Sequence, residues 1–364
     1  MRLSTALVVL PLIALTAVPM VVAAETTRTV RVELSPDALG HFVVENLAGT
    51  MRVVPGSGPS VVAVATIHAE DDDLATAMKV EQVAGKLGVP TLRVIYPLDR
   101  GNTIRYPGRG SDAGILGKLF GDFNSSMEYD GQRVKVSGNH GVLLYADVEV
   151  QVPRHLENAT FRNLVGLLEG HDVEGKILFD SSSGDVSVSK VRGEIKADTG
   201  SGDVTARALE GSFVCDTGSG NCDLGEFKGD SLRCDVGSGN VRIHTATAKL
   251  VVAATGSGNV DVSGGDIEEF RADTGSGNVR LENKGARLAR VKAETGSGNV
   301  TLRLAPDAAF EALADQGSGD ISMGYKDAEA IVKHKEVIGY RRGDARIKID
   351  VDTGSGDLTI EPGA

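Results

Sequence analysis

The chain has 364 residues, a formal net charge of −12, 46 glycines, 4% aromatic residues and no Trp. So acidic a surface is repelled at long range by nucleic acid and by anionic bilayers, which excludes both as main partners. Few aromatics and a glycine share well above average suit many short strands joined by tight turns better than a helical enzyme core.

Residues 1–24 carry Arg2, an apolar run from Leu7 to Val22 and the small-residue end Val22-Ala23-Ala24, the pattern of an export signal cut before Glu25. Pro11 and Pro19 argue against a retained membrane anchor. Loss of this segment removes one charge, Arg2, and takes the net charge from −12 to −13. The expected location is extracytoplasmic: periplasm, cell surface or secreted. After Glu25 no apolar run reaches the roughly 20 residues of a transmembrane helix.

Residues 25–174 read as an irregular first part. "VENLAGTMRVVPGSGPSVVAVATI" (44–67) has a strand, turn, strand grammar, and "TLRVIYP", "QRVKVSG" and "LLYADVEVQVP" are further strands. Between them, 99–131 is Gly-rich and aperiodic and reads as an excursion.

From 175 to 364 one unit recurs. The Asp or Asn after each Ser-Gly pair falls at 185, 203, 221, 240, 259, 278, 299, 320 and 357, in steps of 18 to 21 and a last step of 37. Strand alternation sends Val186, Val204, Cys222 and their equivalents inward, and likewise the column Ile177, Ile195, Phe213 before the turn. Each unit is two short strands and two turns, and it buries its apolar face only by stacking on the next unit, about 4.8 Å away. The predicted fold is therefore all-β: a parallel β-solenoid (β-helix) with two strands per coil and irregular excursions near both ends. The long last step predicts an insertion at 324–345, with room for a short helix, before the final coil closes the stack.

The repeated "TGSGDV" and "TGSGNV" coils, the "LYADVEVQVP" segment and the closing "IKIDVDTGSGDLTIEP" resemble the bacterial DUF4097 family of β-strand-repeat proteins, which carries an adhesin label. The chain is more distantly similar to autotransporter-adhesin head domains. The resemblance implies a β-solenoid and an extracytoplasmic place, and it supplies no catalytic or binding residue.

The repeated Thr-Gly-Ser-Gly-Asn reads as a structural turn, because its glycines supply backbone angles that other residues resist and its Asn side chains can bond along the stack. A phosphate cradle would need a following helix or a Lys, and neither is present. The residue before the turn is acidic in eight coils of nine: Asp180, Asp198, Asp216, Asp235, Asp273, Glu294, Asp315 and Asp352, with Ala254 the exception. Neighbouring carboxylates at this spacing repel by about 1 kcal/mol even at the dielectric of water. Backbone N–H groups of each turn are the expected compensation. A row of calcium ions is the rival reading and is not favoured, so no cofactor is expected.

Cys215, Cys222 and Cys234 fall close together on the stack, and export favours a disulfide among them without deciding the pair. No hydrolase motif accompanies the seven scattered histidines, and no enzyme is expected. Tyr96, Arg100, Arg105, Tyr106, Arg109, Tyr129, Tyr325, Tyr340, Arg341 and Arg342 lie in or beside the excursions. Tyr and Arg anchor interfaces, and inserted loops carry function, so these ten are the candidate ligand-binding residues. Capping of the stack ends is their alternative role. The expected function is an exported, structural or adhesin-like module that meets a protein or envelope component. The alternative is a binding module for an acidic glycan or envelope component through the Tyr and Arg insertions, and a carbohydrate-active enzyme is the less favoured third reading.

Overall fold

The computed structural model describes residues 25–34, 40–108 and 123–363. The predicted signal 1–24, Arg109 and the middle of the 99–131 excursion lie outside the described residues. Within them the protein is all-β, and the regular region is a parallel stack as its periodicity predicts. Arg192–Ser201 pairs in register with Glu174–Ser181 on one side and Val204–Ser219 on the other, which stacks Ile177, Ile195 and Phe213. That column continues through Leu232, Val251, Phe270 and Val291, all buried.

From Val204 to Ser276 each coil is one bent strand between Gly-Ser-Gly turns: Val204–Ser219, Cys222–Ser238, Val241–Ser257 and Val260–Ser276. The turn demands glycine for two reasons at once. At Gly258 φ is +156°, and a Cβ would lie 1.9 Å from the carbonyl oxygen of Gly239 in the neighbouring coil. The opposite bend uses a left-handed residue that is not glycine, at Asp172, Lys190, Ala208, Glu226 and Thr245. The residue after each bend points inward, so Val173, Val191, Leu209, Phe227 and Ala246 form a further buried column, outside the alternation that flanks the Gly-Ser-Gly turn.

The Thr of the turn is also interior. Thr199, Thr217, Thr255, Thr274 and Thr295 are buried, and each hydroxyl donates to a Gly carbonyl of the preceding coil at 2.8–3.0 Å. A dry column accepts a hydroxyl only where it finds such an acceptor.

At the far end of the stack the coils leave sequence order. Ile347–Ser355 pairs with Arg290–Ser297 on one side and Phe310–Ser318 on the other. Leu358–Pro362 likewise lies between Val300–Leu304 and Ile321–Met323. The expected closing coil is thus internal, and the coil at 310–323 is the outer one. The insertion does not contain the short helix it has room for. Glu329–Lys333 and Glu336–Arg342 form an antiparallel hairpin whose second strand pairs antiparallel with Phe310–Ser318. Apolar and β-branched residues at Ile331, Val332, Val337 and Ile338 favour that extended form.

The near end is built the same way. Phe42–Ala48 and Met51–Pro55 form a coil between 155–171 and a layer made by Pro90–Ile95 and Val142–Val152. Antiparallel pairing of Val142–Val152 with Val61–Ala69, and of that strand with Thr26–Leu34, carries the sheet past the parallel stack. No helix among the described residues is long and apolar enough to cross a membrane.

Candidate interaction surface

Alternation fixes what each coil shows outside. With Ile195, Ala197 and Thr199 inward, Glu194, Lys196 and Asp198 face outward, and the same parity repeats at every coil. The acidic row is real, but its compensation differs from the expected backbone caps. Lys196 Nζ lies 2.6 Å from Asp198 and 3.5 Å from Asp216 in the next coil. Arg162 donates to Asp180 at 2.7 Å, Arg233 to Asp235 at 3.2 Å, and Lys292 lies 2.5 Å from Glu294. Lys196, Arg233 and Lys292, two residues upstream on the same face, reach their acids without bending the strand, whereas Arg162 reaches Asp180 from the adjacent coil. The hydrogen bond it donates to Asp198 holds the Lys196 ammonium above its ordinary range. Among the described residues no group of three or more His, Cys, Asp or Glu could hold a metal ion.

The exception in the row is a double one. Where Ala254 replaces the acid, Val252 replaces the base, in register with Asp235 and Arg233 below. With Leu250 they make a half-buried neutral spot in a charged face.

The Asn column forms a second ladder. Asn240 donates from its backbone N–H and its side-chain amide to Oδ1 of Asn221 at 3.0 and 3.1 Å, and Asn259 repeats this on Asn240. Beside it, Arg242, Asp261 and Arg280 line an open cleft of about 270 Å³. A larger one of about 450 Å³ lies beside the end hairpin, lined by Lys292, Lys333, Asp315, Asp350 and Asp352 with Leu313 and Ile338.

The candidate Tyr and Arg residues divide sharply. Tyr96, Tyr106, Tyr129 and Tyr325 are buried, so they are packing residues of the two ends and not exposed anchors. Tyr96 and Tyr129 meet edge to face at 5.8 Å, and the Tyr96 hydroxyl donates to Asn46 Oδ1 at 2.9 Å. Tyr325 donates to the carbonyls of Leu304 and Ala305, and burial pushes its hydroxyl up to about 12. Arg342 stacks on that ring at 4.7 Å and bonds Asp327, which makes it part of the same packing. Arg100 and Arg341 are exposed, and Arg105 and Tyr340 half-buried. The Gly-rich, aperiodic excursion suggested surface loops, but aromatic rings at the ends of a stack supply the apolar area that closes it.

Cys215 and Cys222 form the disulfide, across one turn, and Cys234 is free and buried one coil away. Burial pushes the Cys234 thiol far up. A group missed by the sequence reading is His68, buried between Glu25 at Nδ1 and Asp147 at Nε2, the latter 3.3 Å away. Its ring stacks on Tyr145 at 4.4 Å. Desolvation lowers the imidazole pKa, but hydrogen bonds and charge from Asp147 and Glu25 outweigh it and hold it above the ordinary 6.5. These partners are 43 or more positions away from His68 and leave no local signal.

A family model described as Toastrack DUF4097 matches residues 146–361. No curated protein matches the chain. Among solved structures, a "putative cell adhesion protein" of Clostridium sporogenes is 10% identical, with 93% of this chain and 100% of that one covered and a TM-score of 0.23. A "putative lipid binding protein" of Parabacteroides distasonis is 11% identical, with 93% and 97% covered and a TM-score of 0.38. A "putative adhesin" of Bacteroides fragilis is 11% identical, with 92% and 97% covered and a TM-score of 0.36.

Proposed function

The chain belongs to the Toastrack DUF4097 family, and we propose on that premise that it is an exported, non-enzymatic module whose charged outer columns bind a surface or envelope component. The observation that carries this reading is the row of alternating bases and acids from Arg162 and Asp180 through Lys196, Asp198 and Arg233 to Lys292 and Glu294. Such pairs recur on several coils of a scaffold whose backbone is held on both sides by parallel pairing. A rigid, periodic, polar face suits a long or repetitive partner, because each coil adds a weak contact without further ordering cost. The export signal expected from residues 1–24 supports a place for that face outside the cytoplasm.

The test has two arms. Cells expressing the full chain are fractionated, and the purified protein is incubated with isolated envelopes. Retention on envelopes is expected, falling when Arg162, Lys196, Arg233 and Lys292 are together changed to Ala. A cytoplasmic protein, or one that envelopes do not retain, removes the proposal. Retention unchanged in the fourfold variant moves the binding face elsewhere.

A further inference from the structure

The stack ends on a strand edge that the fold leaves open. Glu329–Lys333 pairs with Glu336–Arg342 on one side and, among the described residues, with no strand on the other. Open edges present unpaired N–H and C=O groups to any compatible strand. Val332 is 60% exposed and its cross-strand neighbour Val337 is 45% exposed.

We propose that this edge pairs antiparallel with the same strand of a second copy of the chain, about a two-fold axis at Ile331. The charges across the sheet select that partner. Reading toward the edge, Lys348, Glu311, Arg341 and Glu329 stand directly opposite one another in successive strands. Their signs alternate, with Lys348 donating to Glu311 at 2.9 Å and Arg341 at 3.9 Å from it. The row stops on the carboxylate of Glu329, so the next strand should offer a cation there.

Pairing about Ile331 does this twice. It sets Glu329 against Lys333 of the second copy and Lys333 against its Glu329. Since Lys333 already stands opposite Glu336, the alternation continues into the second molecule without a break. On the other face, the same register sets Ala330 against Val332, which brings the two exposed Val332–Val337 pairs into one apolar strip. A two-fold contact closes on itself and makes a dimer and not a fibre.

Sedimentation of the purified full chain tests this. The wild type is expected at twice the chain mass. Glu329→Lys and Lys333→Glu each set like charges opposite at both ends of the paired strands, so each alone should dimerise roughly tenfold or more weakly. Mixed in equal amounts, the two variants restore both opposite-charge pairs, and the dimer should return. A monomeric wild type, or a dimer that both variants keep, overturns the proposal. Should a variant lose its hairpin, Ile331→Cys in the otherwise native chain decides separately. Directly opposed residues lie within disulfide reach, so it should crosslink on mild oxidation while Arg341→Cys, one strand further in, should not. The reverse result rules the register out.

Discussion

The backbone N–H of Asp320 donates to Oδ1 of Asp357 at 2.9 Å, although Asp357 stands 37 positions later. Asp357 in turn donates to Oδ1 of Asn299. The Asn and Asp ladder thus runs 299, 357, 320, and the coil containing Asp357 is held from both sides. A stack whose outer coil rests on a later segment does not lose its end alone when that segment is weakened.

Ile349, buried in that internal coil, is the residue with which to test this. Ile349→Ala should destabilise by about 2–4 kcal/mol. Hydrogen exchange should quicken throughout 310–323 and 329–342 while 174–260 keeps its protection, as nearest-neighbour stacking requires. Fast exchange confined to 347–355 would contradict the coil order.

Gly258 and Gly131 separate conformational demand from lack of space. Both have positive φ, but a Cβ at Gly131 meets nothing within 4 Å. Gly131→Ala should cost about 1 kcal/mol for its left-handed angle alone. Gly258→Ala adds a clash with the Gly239 carbonyl and should cost about 3 kcal/mol or more. Equal losses in denaturant titrations would show that the close approach of coils carries no weight.

Val236 is the gap in the buried Thr column, in register between Thr217 and Thr255. Val236→Thr places a hydroxyl where its neighbours donate to Gly carbonyls, here that of Gly220, and should stabilise by about 0.5–1 kcal/mol. Thr217→Val removes the bond to Gly202 and should cost about 1 kcal/mol. Val241→Thr, in a column without such acceptors, is the control, and thermal melts should give it the opposite sign to Val236→Thr. The same sign in both would remove the acceptor argument.

The His68 cluster should make stability fall as pH rises. The folded pKa lies above 6.5, raised by Asp147 and Glu25 against the opposing desolvation. The folded state therefore holds the proton more tightly, and that stabilisation is complete below 6.5 and lost as pH climbs through the raised value. Melting curves of the wild type and His68→Gln should differ most near about pH 6 and converge toward about pH 9. A difference constant across that window would show that the ring contributes by packing alone.

Local chemistry determined a great deal. The spacing of Gly-Ser-Gly turns and the two-residue alternation around them are enough to name a parallel stack, its inward columns from Ile177 to Val291 and its outward acids, because in a solenoid each coil meets the next at a fixed offset. Thr199 and its equivalents share the parity of Ala197, so their burial was legible too, although their polarity hid it. Other features depended on segments distant in sequence. The place of 347–362 inside the stack, the closure of both ends by buried tyrosines and the clamp on His68 all join residues whose partners no repeat period encodes. Periodicity specifies neighbours along a stack. Where the period ends, only packing in three dimensions decides which strand comes next and which edge stays open.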